Sequence, residues 1–391
     1  MGGVSELRSV VILGATGSVG RSTLDLIARN RDGFAIEALT ARRDVAGLAE
    51  LARTFGARRA VIGDQSLHAT LAEALAGTET EILSGAQAIV DVAGCGADWT
   101  MAAMVGTAGL EPAMRALEGG KTVALANKES LVSAGALMMK AAADHGATLL
   151  PVDSEHNAVF QCFDRARPES IRRIILTASG GPFRCRSLEE MRKVTPAEAV
   201  AHPNWSMGAK ISVDSATLMN KGLELIEAYH LFPLAPEALD VVVHPQSVIH
   251  SLVEYVDGSV LAQLGAPDMR IPIAYTLAWP ERMETPCARL DLVRIGTLNF
   301  EAPDLTRFPC LALARAALSQ GGAKPAILNA ANEIAVASFL ESGIAFLNIA
   351  SVVGEVLAEY DPGAPSSIDE VLEIDAEARR RATAVTGKFR I

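Results

Sequence analysis

The chain has 391 residues, of which half are apolar and 21% are charged. This length allows two or three domains with their own cores, and the composition excludes a disordered or collagen-like protein. The formal net charge of -11 argues against a nucleic-acid partner, because phosphate-backbone binding requires a basic face.

The cysteines and the apolar runs indicate a cytoplasmic protein. Five cysteines are scattered along the chain without C-x-x-C spacing, which is typical of a reducing compartment. The first apolar run, residues 10–13, begins too early to leave room for a signal peptide. The chain also lacks an uninterrupted apolar stretch of about 18 residues, so we expect no membrane partner.

The first 150 residues alternate between short β-branched runs and amphipathic stretches, which is typical of βαβ units around a parallel sheet. The predicted strands are 10–13, 36–40, 59–62, 89–92, 122–125 and 148–152. We therefore predict an α/β fold in which residues 1–150 form a Rossmann-like, doubly wound nucleotide-binding domain.

The pattern changes after Pro151. Strands are predicted at 171–176, 241–243, 248–255 and 259–264, with a hairpin turn at 256–259. Residues 151–280 are therefore predicted to form a central α+β catalytic domain with a mostly antiparallel sheet. A linker at 281–309 would lead to a helical domain at 310–391, with helices at 311–319, 326–342, 349–360 and 368–384.

A glycine-rich segment follows the first predicted strand and opens a helix. Gly14, Gly17 and Gly20 have two residues between successive glycines, a variant of the usual dinucleotide fingerprint. Glycines allow close backbone approach to a pyrophosphate, and the helix N-terminus attracts its charge. We interpret the segment as a dinucleotide site; a plain tight turn is the alternative.

The end of the second predicted strand bears on the choice between NAD and NADP. An acidic residue there suits a ribose hydroxyl, whereas arginine suits a 2'-phosphate. Arg42 and Arg43 occupy this end, and Glu37 lies too early in the strand. The residues favour NADP(H); two solvated loop arginines are the alternative.

A third polar segment follows the predicted strand at 122–125. Asn127 and Glu129 could contact the nicotinamide end of a cofactor, and Lys128 could reach a substrate oxygen. The alternative is an ordinary helix start, for which Asn is a common cap.

One helical turn combines an amide, an ammonium and a carboxylate. Asn220 and Glu224 are four residues apart, and Lys221 and Glu224 are three apart, so all three are predicted to share a helix face. This face would serve a cation and an anionic substrate together.

Two further carboxylates precede this helix by about seventy residues. Asp153 and Glu155 are predicted to alternate in an extended segment and to point the same way. Joined by Glu224 they would form an all-oxygen ligand set, which suits Mg²⁺ or Mn²⁺ better than Zn²⁺. His156 is predicted to point elsewhere and to lie outside the site.

A phosphate group needs several fixed donors. Ser179, followed by Gly180 and Gly181, is predicted to form a small backbone nest. Ser215 is predicted to stand just before the helix that carries Asn220, where N-H groups are free. The alternative for Ser215 is an N-cap without a ligand role.

The loop at 199–209 carries His202 and Trp205 between Pro and Gly. A large indole on a polar loop favours a lid that closes over substrate and excludes water. Local packing of the two rings is the alternative. His244 and His250 flank a predicted strand and are interpreted as structural.

Several of these segments together resemble one family, that of 1-deoxy-D-xylulose 5-phosphate reductoisomerase. The resembling segments are 14–20, 125–131, 151–156, 179–183, 202–224, 244–247, 267–270 and 328–333. They span nearly the whole chain in a fixed order and include long, compositionally unusual motifs.

The resemblance implies a set of site residues. For NADPH these are Thr16, Gly17, Ser18, Val19, Arg42, Arg43, Asp44, Asn127, Glu129 and Gly208. For Mg²⁺, Mn²⁺ or Co²⁺ they are Asp153, Glu155 and Glu224. For substrate they are Lys128, Ser154, Glu155, Ser179, His202, Ser215, Asn220 and Lys221, and the implied catalytic residues are Lys128, Asp153, Glu155, His202, Lys221 and Glu224. Arg42 and Asp44 depart from the family, which usually has a glycine and an amide at these two positions.

The resemblance also implies the reaction. A divalent metal assists rearrangement of a phosphorylated ketose, by retro-aldol cleavage or by migration, and NADPH reduces the resulting aldehyde to 2-C-methyl-D-erythritol 4-phosphate in the non-mevalonate isoprenoid pathway. Homodimerisation is implied as well, through the 151–280 domain.

Two alternative functions are an NADP-dependent dehydrogenase of a phosphorylated semialdehyde, without rearrangement, and a nucleotide-sensing regulator without activity.

Overall fold

The computed structural model describes residues 7–202, 205 and 207–390. It has eleven strands and seventeen α-helices among these residues. The strands are β1 (Arg8–Leu13), β2 (Phe34–Ala41), β3 (Arg59–Ile62), β4 (Glu81–Ser84), β5 (Trp99–Ala102), β6 (Thr122–Leu125), β7 (Thr148–Pro151), β8 (Ile171–Ala178), β9 (Leu239–Val243), β10 (Ile249–Tyr255) and β11 (Val260–Leu264).

The helices follow the same chain order. They are α1 (Ser18–Arg29), α2 (Val45–Phe55), α3 (His68–Ala74), α4 (Ala86–Ala93), α5 (Leu110–Glu118), α6 (Lys128–His145), α7 (Ser154–Cys162), α8 (Leu188–Met191), α9 (Pro196–Val200), α10 (Ala209–Ala216), α11 (Met219–Leu231), α12 (Arg270–Ala278), α13 (Leu292–Ile295), α14 (Pro309–Gln320), α15 (Lys324–Leu340), α16 (Asn348–Glu359) and α17 (Ile368–Thr386).

The chain divides into two compact units. The first unit comprises the described residues of Met1–Ser130, Met138–Asn157 and Asp268–Cys287. The second unit comprises those of Leu131–Leu137, Ala158–Pro267 and Ala288–Ile391. Within the described residues no helix has both the length and the hydrophobicity that a membrane crossing requires.

The first unit is built on a seven-stranded parallel sheet with the order β4-β3-β2-β1-β5-β6-β7. The central strand β1 buries Val10, Val11, Ile12 and Leu13 completely or nearly so, as expected for a strand covered on both faces. β2 pairs with one edge of β1 and β5 pairs with the other. The chain therefore builds the two halves of the parallel sheet outward from β1 in opposite directions. The predicted Rossmann-like fold is confirmed, and its switch point lies at the carboxyl end of β1.

The predicted strand at 89–92 is wrong. These residues lie in α4, which buries Ile89, Val92 and Ala93 on one side, and Gln87 donates to Asp91 at 2.9 Å one turn further on. A short apolar run fits a strand and a helix face equally well. The strands that complete the sheet here, β4 and β5, were not predicted.

Residues 268–287 pack with the first unit, although the predicted central domain extended to residue 280. Trp99 on β5 is fully buried, and its Nε1 donates to Thr276 O at 3.0 Å. Arg270 Nη1 lies 3.1 Å from Asp25 Oδ2. These contacts attach α12 to the core of the nucleotide-binding fold.

The second unit contains a four-stranded sheet with the order β11-β10-β8-β9. β10 pairs antiparallel with β8 and β11, and β8 pairs parallel with β9, so the predicted mostly antiparallel sheet is confirmed. Gly258, with φ +87°, closes the predicted hairpin between β10 and β11.

The predicted C-terminal helices are confirmed as α14 to α17. They belong to the same compact unit as the second sheet. Between α12 and α14 the chain forms α13 and a single bridge from Glu301 to Val243 on β9. The C-terminal helices therefore take part in the unit that carries α10 and α11.

Candidate active site

A glycine-rich turn joins β1 to α1. Gly14 has φ +89°, and a Cβ there would lie 2.8 Å from Ala103 O. Gly20 is as closely enclosed, since its Cβ would lie 2.4 Å from Gly14 O. Gly17 precedes α1 and offers no side chain to cap it. Bare backbone beside an uncapped helix N-terminus is what a pyrophosphate requires, so the turn fits a dinucleotide.

The turn is fixed to the end of β2. The N-H groups of Gly14 and Ala15 donate to Thr40, to its hydroxyl at 3.0 Å and to its carbonyl at 2.8 Å. Arg21 Nε donates to Thr16 O at 3.1 Å. The other predicted positions, Ser18 and Val19, begin α1, with Ser18 exposed. The turn is therefore held in place by the protein itself.

Three charged residues follow β2. Arg42, Arg43 and Asp44 are all exposed. Asp44 caps α2, accepting an N-H of its first turn at 2.9 Å, and lies 3.9 Å from Arg21. Arg43 Nε lies 3.1 Å from Asp64 Oδ2. The negative charge of Asp44 is thus shared with a helix N-terminus and a guanidinium, which reduces its repulsion of a phosphate.

Asn127 caps α6, with its Oδ1 accepting the Ser130 N-H at 2.8 Å. Its amide also donates to Met104 O and, at 2.9 Å, to Gly106 O. These bonds tie the start of α6 to the loop after β5. Asn127 therefore fixes the position of the first residues of α6. This role does not depend on which part of a cofactor Asn127 contacts.

Lys128 lies in the first turn of α6. Its Nζ is 3.0 Å from Asp153 Oδ2, and the two side chains are only 10% and 19% exposed. Glu129 is also buried. The ion pair joins a predicted substrate-binding lysine to a predicted metal-binding carboxylate within the first unit.

Asp153 and Glu155 do not lie in an extended segment. α7 begins at Ser154, and Asp153 precedes it, with Oδ1 accepting the Glu155 N-H at 3.2 Å. Ser154 Oγ donates to Glu155 Oε2 at 2.6 Å. The prediction of alternation was wrong here; a cap residue and a first-turn residue supply the carboxylates, which the helix dipole stabilises.

His156 was predicted to lie outside the site. It is fully buried, and its Nδ1 lies 3.6 Å from Asp153 Oδ1. If this segment had been predicted as a helix, the i, i+3 spacing of Asp153 and His156 would have placed the two side chains next to each other on one face. The His156 ring therefore lies beside the Asp153 carboxylate rather than pointing away from it.

In the second unit, Asn220, Lys221 and Glu224 lie on one face of α11 as their spacing predicts. Asn220 Nδ2 donates to Glu224 Oε1 at 2.5 Å, and Lys221 Nζ donates to Glu224 Oε2. Lys221 and Glu224 are almost completely buried. Gly222 lets this helix approach α14, since a Cβ would lie 2.4 Å from Ala314 Cβ. The carboxylate of Glu224 is therefore buried and hydrogen-bonded to an ammonium and an amide.

Ser179 follows β8 and starts a glycine turn. Its Oγ accepts the Gly181 N-H at 3.1 Å and lies 2.9 Å from His202 Nε2. His202 Nδ1 accepts the Trp205 N-H at 3.0 Å, which assigns the ring proton to Nε2. Burial lowers the pKa of His202, consistent with a neutral ring. Since Ser179 Oγ accepts two bonds, its own proton is available to a ligand oxygen.

Ser215 does not precede α11. It is the second-last residue of α10, and Leu218, in the left-handed region at φ +60°, caps α11. Gly181 packs directly against this end of α10, because a Cβ there would lie 2.8 Å from Ser215 O. The predicted position just before α11 is therefore wrong, and so is the alternative of an N-cap, but Ser215 does meet the turn that begins at Ser179.

The predicted lid, residues 199–209, connects α9 to α10. Pro203, Asn204 and Ser206 lie outside the described residues. The Trp205 ring lies 6.1 Å from the His250 ring between centroids. Gly208 is exposed and caps α10. The described part of the loop thus packs its two aromatic side chains inward, His202 onto Ser179 and Trp205 onto His250.

His244 has the structural role that was predicted. Its Nδ1 is 2.9 Å from Asn299 O, and its Nε2 accepts the Val248 N-H at 3.2 Å. Its ring stacks on Phe300 at 5.0 Å. One ring nitrogen therefore holds Asn299 against the end of β9, and the other fixes the turn from His244 to Val248.

The donor sets decide which cofactors fit. Asp153, Glu155 and Glu224 offer hard carboxylate oxygens, which suit Mg²⁺ or Mn²⁺. The glycine turn and the arginines after β2 suit a phosphorylated dinucleotide. A Rossmann-like sheet with these two donor sets defines the class of NADP-dependent oxidoreductases that also use a divalent metal.

The chain belongs to the 1-deoxy-D-xylulose 5-phosphate reductoisomerase family. Residues 10–135 match the family described by that name, residues 149–232 match its C-terminal domain, and residues 264–381 match the DXP reductoisomerase C-terminal domain. The reductoisomerase of Zymomonas mobilis is 61% identical over 98% of both chains. That of Rhodospirillum centenum is 56% identical over 99% of this chain and 96% of its own.

Solved structures agree with this assignment. The Zymomonas mobilis reductoisomerase in complex with NADPH has a TM-score of 0.94 and 59% identity, covering 97% of this chain and 99% of its own. A DOX-P reductoisomerase in complex with NADPH, fosmidomycin and magnesium has a TM-score of 0.92 and 45% identity, covering 97% of this chain and 98% of its own.

Proposed function

We propose that this protein converts 1-deoxy-D-xylulose 5-phosphate into 2-C-methyl-D-erythritol 4-phosphate, using NADPH and a divalent cation. The observation that carries the proposal is the Glu224 carboxylate, buried on α11 between Lys221 and Asn220. Hydride transfer alone has no use for such a group. A reaction that must stabilise an oxyanion and hold a phosphate uses all three side chains.

Asp153, Glu155 and Glu224 are proposed to bind Mg²⁺ or Mn²⁺ together. Their oxygens are of one chemical type, and Asp153 and Glu224 each have a lysine that offsets their charge. When bound, the cation would act as a Lewis acid toward the ketone and its neighbouring hydroxyl. A related reductoisomerase has been crystallised with magnesium, which supports this assignment.

The substrate phosphate is proposed to bind Ser179, Ser215, Asn220 and Lys221. Ser179 supplies a hydroxyl proton, because its oxygen already accepts bonds from Gly181 and His202. Lys221 supplies charge, and the turn at Gly181 supplies backbone donors. Fosmidomycin, a phosphonate, occupies related reductoisomerases, which supports a site for a phosphorylated molecule.

Lys128, Ser154 and His202 are proposed to contact the reacting end of the substrate. Lys128 can donate from Nζ to a substrate oxygen while it pairs with Asp153. Ser154 adds a hydroxyl at the start of α7. Closure of the loop at 199–209 would exclude water from this end and retain the aldehyde until its reduction.

NADPH is proposed to bind along the switch point of the first sheet. Its diphosphate would contact residues 16–19, its 2'-phosphate Arg42 and Arg43, and its nicotinamide end Asn127, Glu129 and Gly208. The exposed arginines and the uncapped α1 N-terminus support this orientation. Replacing Arg43 by Ala should raise the KM for NADPH more than that for NADH; equal increases would refute the placement.

The dehydrogenase alternative explains the first unit but gives no role to the carboxylates. Family membership over nearly the whole length, at 61% identity to a reductoisomerase, also disfavours it. A nucleotide-sensing regulator is disfavoured because all three carboxylates and both lysines are retained.

A cytoplasmic homodimer is proposed for the assembled protein. None of the five cysteines, all of which lie in the described residues, forms a disulfide, which supports a reducing compartment. β11 is an edge strand of the second sheet and exposes Val260 and Leu261, each about half accessible. Such apolar edges are covered in stable proteins, and a second copy of the sheet would cover this one. Light scattering of the purified protein tests the stoichiometry.

Loss of NADPH absorbance tests the reaction. Protein stripped of metal with a chelator should oxidise NADPH only when 1-deoxy-D-xylulose 5-phosphate and Mn²⁺ are both added. Omission of either one is the internal control. Oxidation without Mn²⁺ would overturn the metal-dependent rearrangement, and no oxidation with both would overturn the function.

A further inference from the structure

The motif at 328–333 is not used by the reaction described above. It lies in the first half of α15 and places Asn329 and Asn332 at 0% exposure. Burying an amide is unfavourable unless it is hydrogen-bonded. The partners of these two residues therefore indicate what the motif does.

Asn332 contacts α10. Its Nδ2 donates to Asp214 Oδ1 at 2.8 Å, and Lys210 Nζ lies 2.8 Å from Asp214 Oδ2. The Asp214 side chain is 1% exposed. Burial, together with the charge of Asp214, raises the pKa of the neighbouring Cys310 thiol to about 12. A single buried carboxylate thus links the first turn of α10, its last turn and α15 through charged hydrogen bonds.

Asp214 directly precedes Ser215. Successive residues of a helix are separated by about 100° around its axis, so a rotation that breaks the bond to Asn332 also redirects the Ser215 side chain. This turn also packs against Gly181, where an added Cβ would lie 2.8 Å from Ser215 O. Among the contacts that hold α10, the one from Asp214 to Asn332 is a specific, buried hydrogen bond.

We propose that Asp214 and Asn332 are positioning residues that fix the rotation of α10 and so direct the Ser215 hydroxyl to the substrate phosphate. The inference rests on the proposed function in its use of Ser215. It gives the C-terminal helices a role in substrate binding, since α15 supplies the residue that holds α10. Lys210, which follows the loop 199–209, completes this network through its ion pair with Asp214.

Asn329 provides a matched control. It is as buried as Asn332 and lies one turn away on the same helix, but its Nδ2 donates to Glu333 Oε1 at 3.2 Å. Glu333 pairs with Arg379 at 2.7 Å, so this network leads to α17. Asn329→Ala and Asn332→Ala remove the same atoms from equally buried positions.

The test measures kcat, the KM for 1-deoxy-D-xylulose 5-phosphate, the KM for NADPH and the Tm of both variants. Asn332→Ala should raise the substrate KM about tenfold, because a small displacement of a binding group is costly, and leave the NADPH KM unchanged. Asn329→Ala should lower the Tm similarly but keep the substrate KM of the wild type. Asn332→Asp, which leaves no cavity and sets two carboxylates against each other, should raise the substrate KM as well and serves if Asn332→Ala does not fold.

Equal substrate KM values in the wild type and the folded Asn332 variant would overturn the proposal. So would a rise in substrate KM shared by Asn329→Ala, or a parallel rise in the NADPH KM. A wild-type protein without any turnover would overturn the proposed function and this inference with it.

Discussion

The ammonium group of Lys128 lies 3.0 Å from the carboxylate of Asp153. The second unit repeats this relationship on α11, where Lys221 pairs with Glu224. All four side chains are largely buried, and an unpaired carboxylate would be costly there. Each lysine therefore stabilises a carboxylate that is proposed to bind the cation, and cation binding competes with the lysine.

Replacing Lys128 by Met tests this competition. Removing a positive charge next to Asp153 should tighten Mn²⁺ binding several-fold, because like charges no longer repel. Turnover should fall about 100-fold, since the substrate loses a charged donor. Titration calorimetry with Mn²⁺ and the NADPH assay measure the two effects. Lys140→Met removes an exposed lysine from the same helix and should change neither; weaker Mn²⁺ binding in Lys128→Met would contradict the account.

Glu224→Gln should abolish most of the metal-dependent activity. The substitution keeps the size of the side chain but removes the charge that a divalent cation requires. We expect a Mn²⁺ affinity lower by about tenfold or more, with NADPH binding unchanged because the dinucleotide turn belongs to the first unit. Cofactor fluorescence reports NADPH binding. Full activity at low Mn²⁺ concentration would exclude Glu224 as a ligand.

Asp44→Asn should lower the KM for NADPH. Asp44 caps α2, and asparagine caps a helix about as well, so the Tm should stay within a few degrees. The variant removes a negative charge next to the proposed 2'-phosphate contacts of Arg42 and Arg43. The KM for NADH, which lacks this phosphate, is the control. A higher NADPH KM would show that Asp44 does not repel the cofactor.

His230 should make the protein less stable in mild acid. Burial lowers its pKa to about 4, whereas an unfolded histidine titrates near 6.5. Between these values the unfolded chain binds a proton that the folded one does not. The stabilisation present above about pH 6.5 is therefore lost as the pH falls toward 4, by up to about 3 kcal/mol.

Urea unfolding across this pH range measures the loss. The pKa of His202 is also lowered, so His202 adds to the acid sensitivity of the wild type. The His230→Asn variant keeps His202, so the difference between the two proteins isolates the contribution of His230. The variant should lose less free energy of unfolding between pH 6.5 and pH 4. Parallel curves for the two proteins would assign the acid sensitivity to other groups.

The sequence predicts the parallel sheet well because buried strands such as β1 are continuous apolar runs bounded by glycine. It does not predict β5, or β4, whose four residues are partly exposed, and it places a strand at 89–92 because Ile89, Val90 and Val92 fit a strand and a helix face equally well. The helical tail is predicted closely since its apolar residues recur over several turns. Period and length, rather than composition, separate the successes from the errors.

The candidate site shows the same limit at its loops. The face of Asn220, Lys221 and Glu224 follows from helix spacing alone. Ser215 was misplaced because Leu218 interrupts the helical pattern with a left-handed conformation, which an ordinary Leu does not signal. The contact of Asn332 with Asp214 joins residues 118 positions apart, and only the tertiary fold brings them together.

Proton NMR of the methyl group in the reaction product distinguishes rearrangement from simple reduction of the ketone. Rearrangement followed by reduction leaves the methyl on a carbon without hydrogen, whereas direct reduction of the ketone leaves it on a carbon that carries one. The two products have the same mass, so the carbon skeleton alone distinguishes them. We expect a methyl singlet after NADPH oxidation with 1-deoxy-D-xylulose 5-phosphate and Mn²⁺. A methyl doublet would show a dehydrogenase without rearrangement and would contradict the account.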